Sequence, residues 1–129
     1  MLVFLIIMRV CVIDDNISIT GMIEKLLKMK GHDATIINGG REGLSILEKE
    51  VFDVVILDIA MPEFSGIDVV NALNESGRIK EQKICILTAS SAADTQLEEL
   101  KRKGCKEILK KPLELNELTA ILERISNSD

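Results

Sequence analysis

The chain has 129 residues, which fits a single domain and is long enough to bury a core without disulfides or metal staples. Apolar residues make up 47% of the chain and aromatic residues 2%, which excludes a disordered protein and predicts a core of aliphatic side chains. The net charge of −5 argues against nucleic acid as a direct ligand, because phosphate backbones are bound by clustered Lys and Arg.

The chain begins with an apolar run, Met1 to Met8, that has two interpretations. It is either an over-long start of the first strand or a segment that precedes a natural start at Met8. We therefore assign residues 1–7 as a possible apolar N-terminal extension. The run is too short to span a bilayer and lacks the charged region and cleavage site of a secretory signal. We expect a cytoplasmic protein that does not associate with a membrane.

The first half of the chain alternates between strand and helix signals. Short apolar runs predict strands at Met8–Ile13, Ala34–Ile37 and Val54–Leu57. Apolar residues at helical spacing predict helices at Ile17–Lys30 and Gly43–Glu50, and a third helix through Ile67, Val70 and Leu73. Gly31 ends the first helix, so His32 is expected in a surface turn and not at a catalytic site.

The second half continues the alternation. Strands are predicted at Ile84–Leu87 and, more weakly, at Glu107–Leu109, with helices at Ala92–Lys103 and Leu115–Ile125. The polar stretch Glu75–Lys83 is predicted to be a connection. Apolar strands that alternate with helices indicate an α/β fold, a five-stranded parallel sheet of flavodoxin-like type with helices on both faces. We expect one domain over residues 1–129 and no output domain.

The cysteines Cys11, Cys85 and Cys105 lie in or beside apolar runs and show no CxxC spacing. An odd number of cysteines without metal-ligand spacing predicts reduced, mostly buried thiols in a reducing compartment.

Polar residues at the strand ends form the candidate site. Asp14 and Asp15 follow the first strand, Asp58 the third and Thr88 the fourth, while Lys111 lies two residues after the fifth. Ligands of open α/β sheets bind at the carboxyl ends of the strands, where the strand order reverses. With the order 2-1-3-4-5, adopted from known folds of this class, the reversal lies between strands one and three. The three carboxylates are therefore expected in one crevice.

Three carboxylates in one crevice repel one another unless a cation neutralises them. Mg²⁺ prefers carboxylate oxygens and typically joins one or two of them to a phosphate. The Thr88 hydroxyl and the Lys111 ammonium would supply the donor and the positive charge that a phosphoryl group needs. One Asp at a strand end is common in turns and helix caps, but the whole set predicts a Mg²⁺-assisted phosphoryl site.

The chain resembles the response-regulator receiver domains of two-component signalling, in their stand-alone, chemotaxis-regulator-like form. The resemblance runs from about Met8 to the end of the chain. Its motifs are Val12-Ile13-Asp14-Asp15-Asn16, Leu57-Asp58-Ile59-Ala60-Met61-Pro62 with Ser65-Gly66, Leu87-Thr88-Ala89, and Lys111-Pro112. As an ordered set these motifs are highly specific.

The resemblance implies a role for each residue of the site. Asp58 would be phosphorylated by a histidine kinase or a phosphotransfer protein. Asp15 would bind Mg²⁺ directly and Asp14 through water, with the Asp58 carboxylate and the Ala60 backbone carbonyl as further ligands. Lys111 would pair with the phosphoryl group, and Thr88 would move to bond it.

The implied protein is a signalling switch and not an enzyme with a separate substrate. Asp58, Thr88 and Lys111 would promote only the phosphorylation and dephosphorylation of the chain itself. The phosphorylated form would change its binding to a downstream effector protein that the sequence does not identify.

Two positions depart from the family pattern. Ile108 stands where the family usually has Tyr, Phe or His, so the ring that normally moves inward with the Thr is missing. The switch pair Thr88 and Ile108 is therefore expected to couple differently. Ala60 stands at a position that tunes hydrolysis of the acyl phosphate, and its small side chain leaves room for water.

Three other functions have less support in the sequence. A phosphorylation-independent pseudo-receiver, which would be a protein-interaction module of the same fold, typically lacks one of the five site residues. A flavodoxin-type redox protein needs a phosphate-binding loop after strand one, where Asp14 and Asp15 would repel a phosphate. A phosphohydrolase with an Asp nucleophile needs a D-x-D pattern there, which Asp14-Asp15-Asn16 does not match.

Overall fold

The structure is a computed structural model that describes residues 7–89 and 91–127. Its helices and strands alternate along the chain. In order they are β1 (Arg9–Ile13), α1 (Ile17–Met29), β2 (Asp33–Ile37), α2 (Gly40–Lys49), β3 (Val54–Asp58), α3 (Gly66–Ser76), β4 (Ile84–Ala89), α4 (Asp94–Lys103), β5 (Glu107–Lys111) and α5 (Leu115–Ser126). Apart from Ile7, the possible N-terminal extension lies outside the described residues.

The five strands form one parallel sheet in the order β2-β1-β3-β4-β5, as predicted. The register pairs Ile13 of β1 with Leu57 of β3, and Leu57 with Ile86 of β4. The chain leaves β1 for β2 on one side and returns to β3 on the other. The order therefore reverses between β1 and β3, and the loops after these two strands diverge to leave a crevice.

The sheet divides the core into two clusters of buried side chains. Successive strand residues point to opposite faces, so Val55 and Leu57 pack towards α2, α3 and α4, while Val54 and Ile56 pack towards α1 and α5. The β3 residues are buried on both faces, which explains the continuous apolar run in the sequence. A parallel sheet covered in this way holds its carboxyl ends in fixed positions.

Four elements differ from their predicted bounds by two or more residues, and β4 is one of them, because it continues through Ala89 and does not end at Leu87. β5 continues through Lys111 and does not end at Leu109, so this lysine belongs to the strand. α2 begins at Gly40 and not at Gly43, because the backbone of the Asn38–Gly40 turn already enters the helix. α4 begins at Asp94 and not at Ala92.

The polar connection before β4 contains more structure than predicted. A 3₁₀ turn covers Arg78–Glu81, and the next residue, Gln82, is buried. The Gln82 side-chain amide donates to the carbonyls of Leu47 at 3.2 Å and Glu50 at 2.8 Å, and its oxygen accepts from the Phe52 N–H. Gln82 thus satisfies carbonyls at the end of α2, a long-range role that its polarity did not reveal.

His32 lies in the turn between α1 and β2, as predicted, and its Nδ1 accepts from the Met8 N–H at 3.0 Å. Among the described residues, no helix combines the length and apolar character needed to cross a bilayer.

Candidate functional site

The three predicted carboxylates meet at the carboxyl edge of the sheet. Asp14 follows β1, where its N–H donates to the Ile37 carbonyl and extends the β1–β2 ladder, and Asp58 is the last residue of β3. Each of Asp14, Asp15 and Asp58 places a carboxylate oxygen within 4.8 Å of the others. Asp14 and Asp58 are buried, whereas Asp15 is exposed, so the crevice opens to solvent on the Asp15 side.

Lys111 brings a positive charge to these carboxylates. Its Nζ lies 3.6 Å from Asp14 Oδ2 and 3.6 Å from Asp58 Oδ2. Lys110, one residue earlier on β5, lies on the other side of the sheet beside Ile108 and the α4 residue Leu97. The structure therefore places Lys111 in the crevice, as predicted.

The fourth strand brings Thr88 to the same edge of the sheet as Asp58. Leu87 is the β4 partner of Asp58, and Thr88 is the next residue, with 1% of its surface exposed. Within the described part of the chain, its hydroxyl donates to the Ala89 carbonyl at 3.5 Å, which is a weak hydrogen bond. The hydroxyl is therefore only loosely held.

Burial raises the pKa of the Asp14 carboxyl to about 6. The nearby Asp58 carboxylate also raises this pKa, while the Asn16 N–H, 2.9 Å from Asp14 Oδ1, and the Lys111 ammonium oppose the shift. Among the described residues, Asp14 Oδ2 is buried without a hydrogen-bond partner. This oxygen has the Lys111 ammonium at 3.6 Å but no hydrogen bond, and a buried carboxylate oxygen that lacks one costs free energy, so the arrangement favours the arrival of a cation.

The donor set fits Mg²⁺. Three carboxylates converge, one of them carries the unpartnered buried oxygen, and hard oxygen ligands are those that Mg²⁺ prefers. The Ala60 N–H donates to Asp58 Oδ1 at 3.1 Å and holds that carboxylate in place. The predicted role of the Ala60 carbonyl as a ligand stays a prediction.

Two features fix the position of the loop that follows β3. Ser65 and Asp68 form a capping box that starts α3, with the Asp68 N–H donating to Ser65 Oγ and the Ser65 N–H to Asp68 Oδ2. A side chain at Gly66 would collide with the backbone carbonyl of Asp58. The Ser65-Gly66 motif thus lets α3 begin directly beside the end of β3.

Sequence reasoning missed Asn38, which supports the crevice from β2. Its Nδ2 donates to the Asp14 carbonyl at 2.9 Å and ties the β1–α1 turn to the neighbouring strand end. The available signal was its position, because Asn38 follows β2 at the same edge of the sheet as the carboxylates.

Ile108 occupies its predicted place on β5. It pairs with Ile86 and packs, half-buried, against the core cluster on the α2–α3–α4 side of the sheet. With Leu97 it lines a groove of about 490 Å³ between α4 and β5. Its role in switching stays a prediction.

Comparison with known proteins adds an independent line of evidence. A family described as the response regulator receiver domain matches residues 10–123. The transcriptional regulatory protein ZraR of Escherichia coli (strain K12) is 35% identical over 118 residues, which are 89% of this chain and 25% of that protein. The transcriptional regulatory protein DltR of Streptococcus agalactiae is 34% identical over 113 residues, or 88% and 49% of the two chains.

A solved structure shares the fold over nearly its whole length. The chemotaxis response regulator CheY4 of Vibrio cholerae superposes with a TM-score of 0.81 and 30% identity over 93% of this chain and 99% of that chain. By contrast, this chain spans only a quarter to a half of the length of ZraR and DltR.

Proposed function

The chain belongs to the response regulator receiver domain family and is a phosphoacceptor signalling switch; from that premise we propose that Asp58 is the residue that accepts the phosphoryl group. The observation that supports this choice is the position of its carboxylate. It lies 3.6 Å from the Lys111 ammonium and beside the Asp14 and Asp15 carboxylates, at the carboxyl end of a central strand.

The proposed reaction is a phosphoryl transfer to a carboxylate oxygen of Asp58. That oxygen forms a bond to phosphorus as the bond from phosphorus to the donor nitrogen of a phosphohistidine, or to the donor oxygen of an acyl phosphate, breaks. The electron pair of the broken bond leaves with the donor group. The product is an acyl phosphate on Asp58.

Two side chains interact with the transferred phosphoryl group. The Lys111 ammonium balances charge on the phosphoryl oxygens, and the loosely bonded Thr88 hydroxyl turns to donate to one of them. Asp14, Asp15 and Asp58, with the Ala60 carbonyl, would hold Mg²⁺, which supplies further positive charge against the phosphoryl oxygens when bound. In this proposal the chain catalyses only its own phosphorylation and dephosphorylation.

The proposed partners follow from this chemistry. The donor is a histidine kinase or a phosphotransfer protein of the cytoplasm, and the downstream partner is a protein that distinguishes the two phosphorylation states. Direct binding of nucleic acid is not part of the proposal, because 21 acidic residues outnumber 16 basic ones. ZraR and DltR are named transcriptional regulatory proteins and CheY4 a chemotaxis protein, so these relatives do not assign one process to this chain.

The test is phosphorylation by acetyl phosphate with Mg²⁺, followed by intact-mass spectrometry. We expect the chain to gain one phosphoryl group, which is lost in base as acyl phosphates are. Asp58→Asn should abolish the gain. Asp33→Asn is a matched control, because Asp33 is an exposed carboxylate at the opposite end of the sheet.

Labelling that persists in Asp58→Asn would refute the assignment. If no small phosphodonor and no kinase labels the wild-type chain, the pseudo-receiver alternative replaces the proposal.

A further inference from the structure

Residues 38–41 lead from the end of β2 into α2 and are called the β2–α2 segment below. The Asp14 N–H donates to the Ile37 carbonyl at 3.1 Å, and Asn38 Nδ2 donates to the Asp14 carbonyl at 2.9 Å. Both backbone polar groups of Asp14 are therefore bound by consecutive residues at the end of β2. Because the Asp14 carbonyl belongs to the planar peptide unit that leads into Asp15, these bonds restrict the position of the exposed Asp15 residue.

The same segment contacts the loop that follows β3. A side chain at Gly40 would collide with the backbone carbonyl of Phe64, so the two backbones lie in direct contact. The Arg41 guanidinium carbon lies 4.7 Å from the centre of the Phe64 ring, which is a cation–π distance. The ring also packs, half-buried, against the core cluster on the α2–α3–α4 side of the sheet. Phe64 is therefore held both by the core and by the start of α2.

The loop that contains Phe64 also holds the carboxylate of Asp58. The Ala60 N–H donates to Asp58 Oδ1 at 3.1 Å. The Phe64 N–H donates to the Pro62 carbonyl at 2.7 Å, which closes a tight turn within the loop. Only four residues separate Ala60 from Phe64, so a displacement of Phe64 would change the position of the Ala60 backbone.

The β2–α2 segment and both loops line one groove. The groove has a volume of about 460 Å³, and its wall includes Asp15 after β1, the β2–α2 segment and residues 61–64 after β3. The loops that carry the predicted Mg²⁺ ligands Asp15 and Ala60 thus both contact the same segment. One contact is a hydrogen bond, and the other consists of backbone and ring contacts. A change in the segment would therefore reach ligands on both loops.

We propose that Asn38 and Arg41 are positioning residues for the Mg²⁺ site, and that the β2–α2 segment holds in place the two loops that carry its ligands. The inference rests on the proposed function, since it concerns the ion that assists phosphorylation. Asn38 acts on the β1 side of the site through the Asp14 carbonyl, and Arg41 acts on the β3 side through Phe64. Each side chain acts through a neighbour and is not itself a ligand.

The test is a titration of the metal-free full chain with MgCl₂, followed by the backbone amide shifts of the site residues. Asn38→Ala removes the hydrogen bond to the turn after β1, and Arg41→Gln removes the cation from the Phe64 ring. Each should raise the Mg²⁺ dissociation constant about two- to fivefold, because the ion must then order a loop that is held in place in the wild type. Both side chains are exposed, so neither substitution removes core packing.

The sign of the Arg41 effect separates positioning from charge. Removal of a cation near the site would, by charge alone, strengthen Mg²⁺ binding, so weaker binding in Arg41→Gln reports the loss of positioning. Phe64→Tyr keeps the ring and should keep the wild-type affinity. Phe64→Leu lacks the ring, so Arg41→Gln should cause no further loss in that background, which a double-mutant cycle measures.

Two variants repeat the substitutions elsewhere on the surface. Asn74→Ala on α3 and Arg102→Gln on α4 make the same changes at exposed positions and should bind Mg²⁺ as the wild type does. Thermal unfolding of the metal-free variants verifies that each is folded. A merely structural role would lower the unfolding temperature of a variant without changing its Mg²⁺ dissociation constant.

A wild-type dissociation constant in Asn38→Ala or in Arg41→Gln would overturn the proposal. Tighter Mg²⁺ binding in Arg41→Gln would also overturn it, since the guanidinium would then act by charge alone. Labelling of Asp58 by acetyl phosphate is measured separately on the wild type, so either result leaves the proposed function standing. A wild-type chain that binds no Mg²⁺ would refute the positioning role and the proposed Mg²⁺ site together.

Discussion

At the residue scale, the two neighbouring lysines of β5 provide a direct test of the site. Lys111→Ala removes the ammonium that lies 3.6 Å from Asp58, so phosphorylation by acetyl phosphate should slow by about 100-fold, the typical effect of losing one transition-state donor. Lys110→Ala is the control, because Lys110 faces the α4 groove. A larger loss of phosphorylation in Lys110→Ala than in Lys111→Ala, measured by intact mass over time, would contradict the assignment.

Glu63 in the loop after β3 has a strained backbone. Its φ is +66°, in the left-handed region where a side chain costs roughly 1 kcal/mol. Glu63→Gly should therefore raise the free energy of unfolding by about 0.5 kcal/mol, after the greater entropy of glycine in the unfolded chain is subtracted.

Urea unfolding gives this free energy. Glu48→Gly is a control that should lower the free energy of unfolding, because Glu48 is exposed on α2 and glycine in a helix costs about 1 kcal/mol. A loss of stability in Glu63→Gly would show that the Glu63 side chain contributes more than its strain costs.

Burial raises the pKa of the thiols of Cys11, Cys85 and Cys105 to about 12. The thiolate is the reactive form, so a charged disulfide reagent at pH 8 should label none of them in the folded protein and all of them in urea. Because the folded pKa lies above the value of 9.0 for an exposed thiol, the stability these protonated thiols contribute is full below pH 9 and is lost between pH 9 and 12. Labelling of the folded chain at the rate of a free thiol would contradict this.

At the element scale, the order and type of the main helices and strands could be predicted because their signals are local. Apolar runs of four to six residues and helical spacing are both visible in a short window of sequence. The contacts that were not predicted join residues that lie far apart in the chain. Gln82 is buried because its side chain donates hydrogen bonds to carbonyls at the end of α2, 32 and 35 residues away. The residues near Gln82 in the sequence do not indicate these hydrogen bonds.

The first half of α1 carries the apolar residues Ile19 and Met22. The structure separates the two, since Met22 is 38% exposed whereas Ile19 packs partly buried against the core. Ile17, at the start of the helix and close in sequence to Asp15 and Asn16, is 77% exposed. Ile17 and Met22 are therefore the exposed large apolar side chains in the first half of α1.

We expect Ile17→Glu and Met22→Glu to slow phosphotransfer from a protein donor at least several-fold, because a buried charge opposes apolar docking. Phosphorylation by acetyl phosphate should be unchanged. Met29→Glu is the control, since Met29 is as exposed as Ile17 and lies at the far end of the same helix. If all three variants transfer phosphate from the protein donor at the wild-type rate, α1 is not the docking surface.

At the scale of the whole molecule, the site was predictable because a parallel sheet brings all its carboxyl ends to one edge. The positions of Asp14, Asp15 and Asp58 followed from this rule together with the strand order adopted from known folds, and the resemblance selected Lys111. The burial and hydrogen bonding of the site residues could not be predicted from this rule. The unpartnered oxygen of Asp14 depends on packing and on contacts that join separate strands, which sequence periodicity does not encode.

That buried oxygen, which among the described residues has an ion pair with Lys111 but no hydrogen bond, links the stability of the whole domain to Mg²⁺. A carboxyl whose folded pKa is raised to about 6 stabilises the fold most below pH 3.8, and this contribution is lost as the pH rises through 6. At pH 7 the metal-free protein therefore carries a buried carboxylate at a cost, which Mg²⁺ relieves. Mg²⁺ at roughly ten times its dissociation constant should raise the free energy of unfolding by about 1.4 kcal/mol.

Urea unfolding with and without Mg²⁺ at pH 7 measures this gain, and three variants assign it. Asp15→Asn should abolish the gain, because it removes the exposed ligand. Asp14→Asn should also abolish it, while making the metal-free protein more stable than the wild type, since an amide replaces the buried charge. Asp33→Asn, at the opposite end of the sheet, should keep the full gain. An equal response to Mg²⁺ in Asp15→Asn and the wild type would place the ion elsewhere, and a destabilised metal-free Asp14→Asn would show that the Lys111 ion pair outweighs the cost of burial.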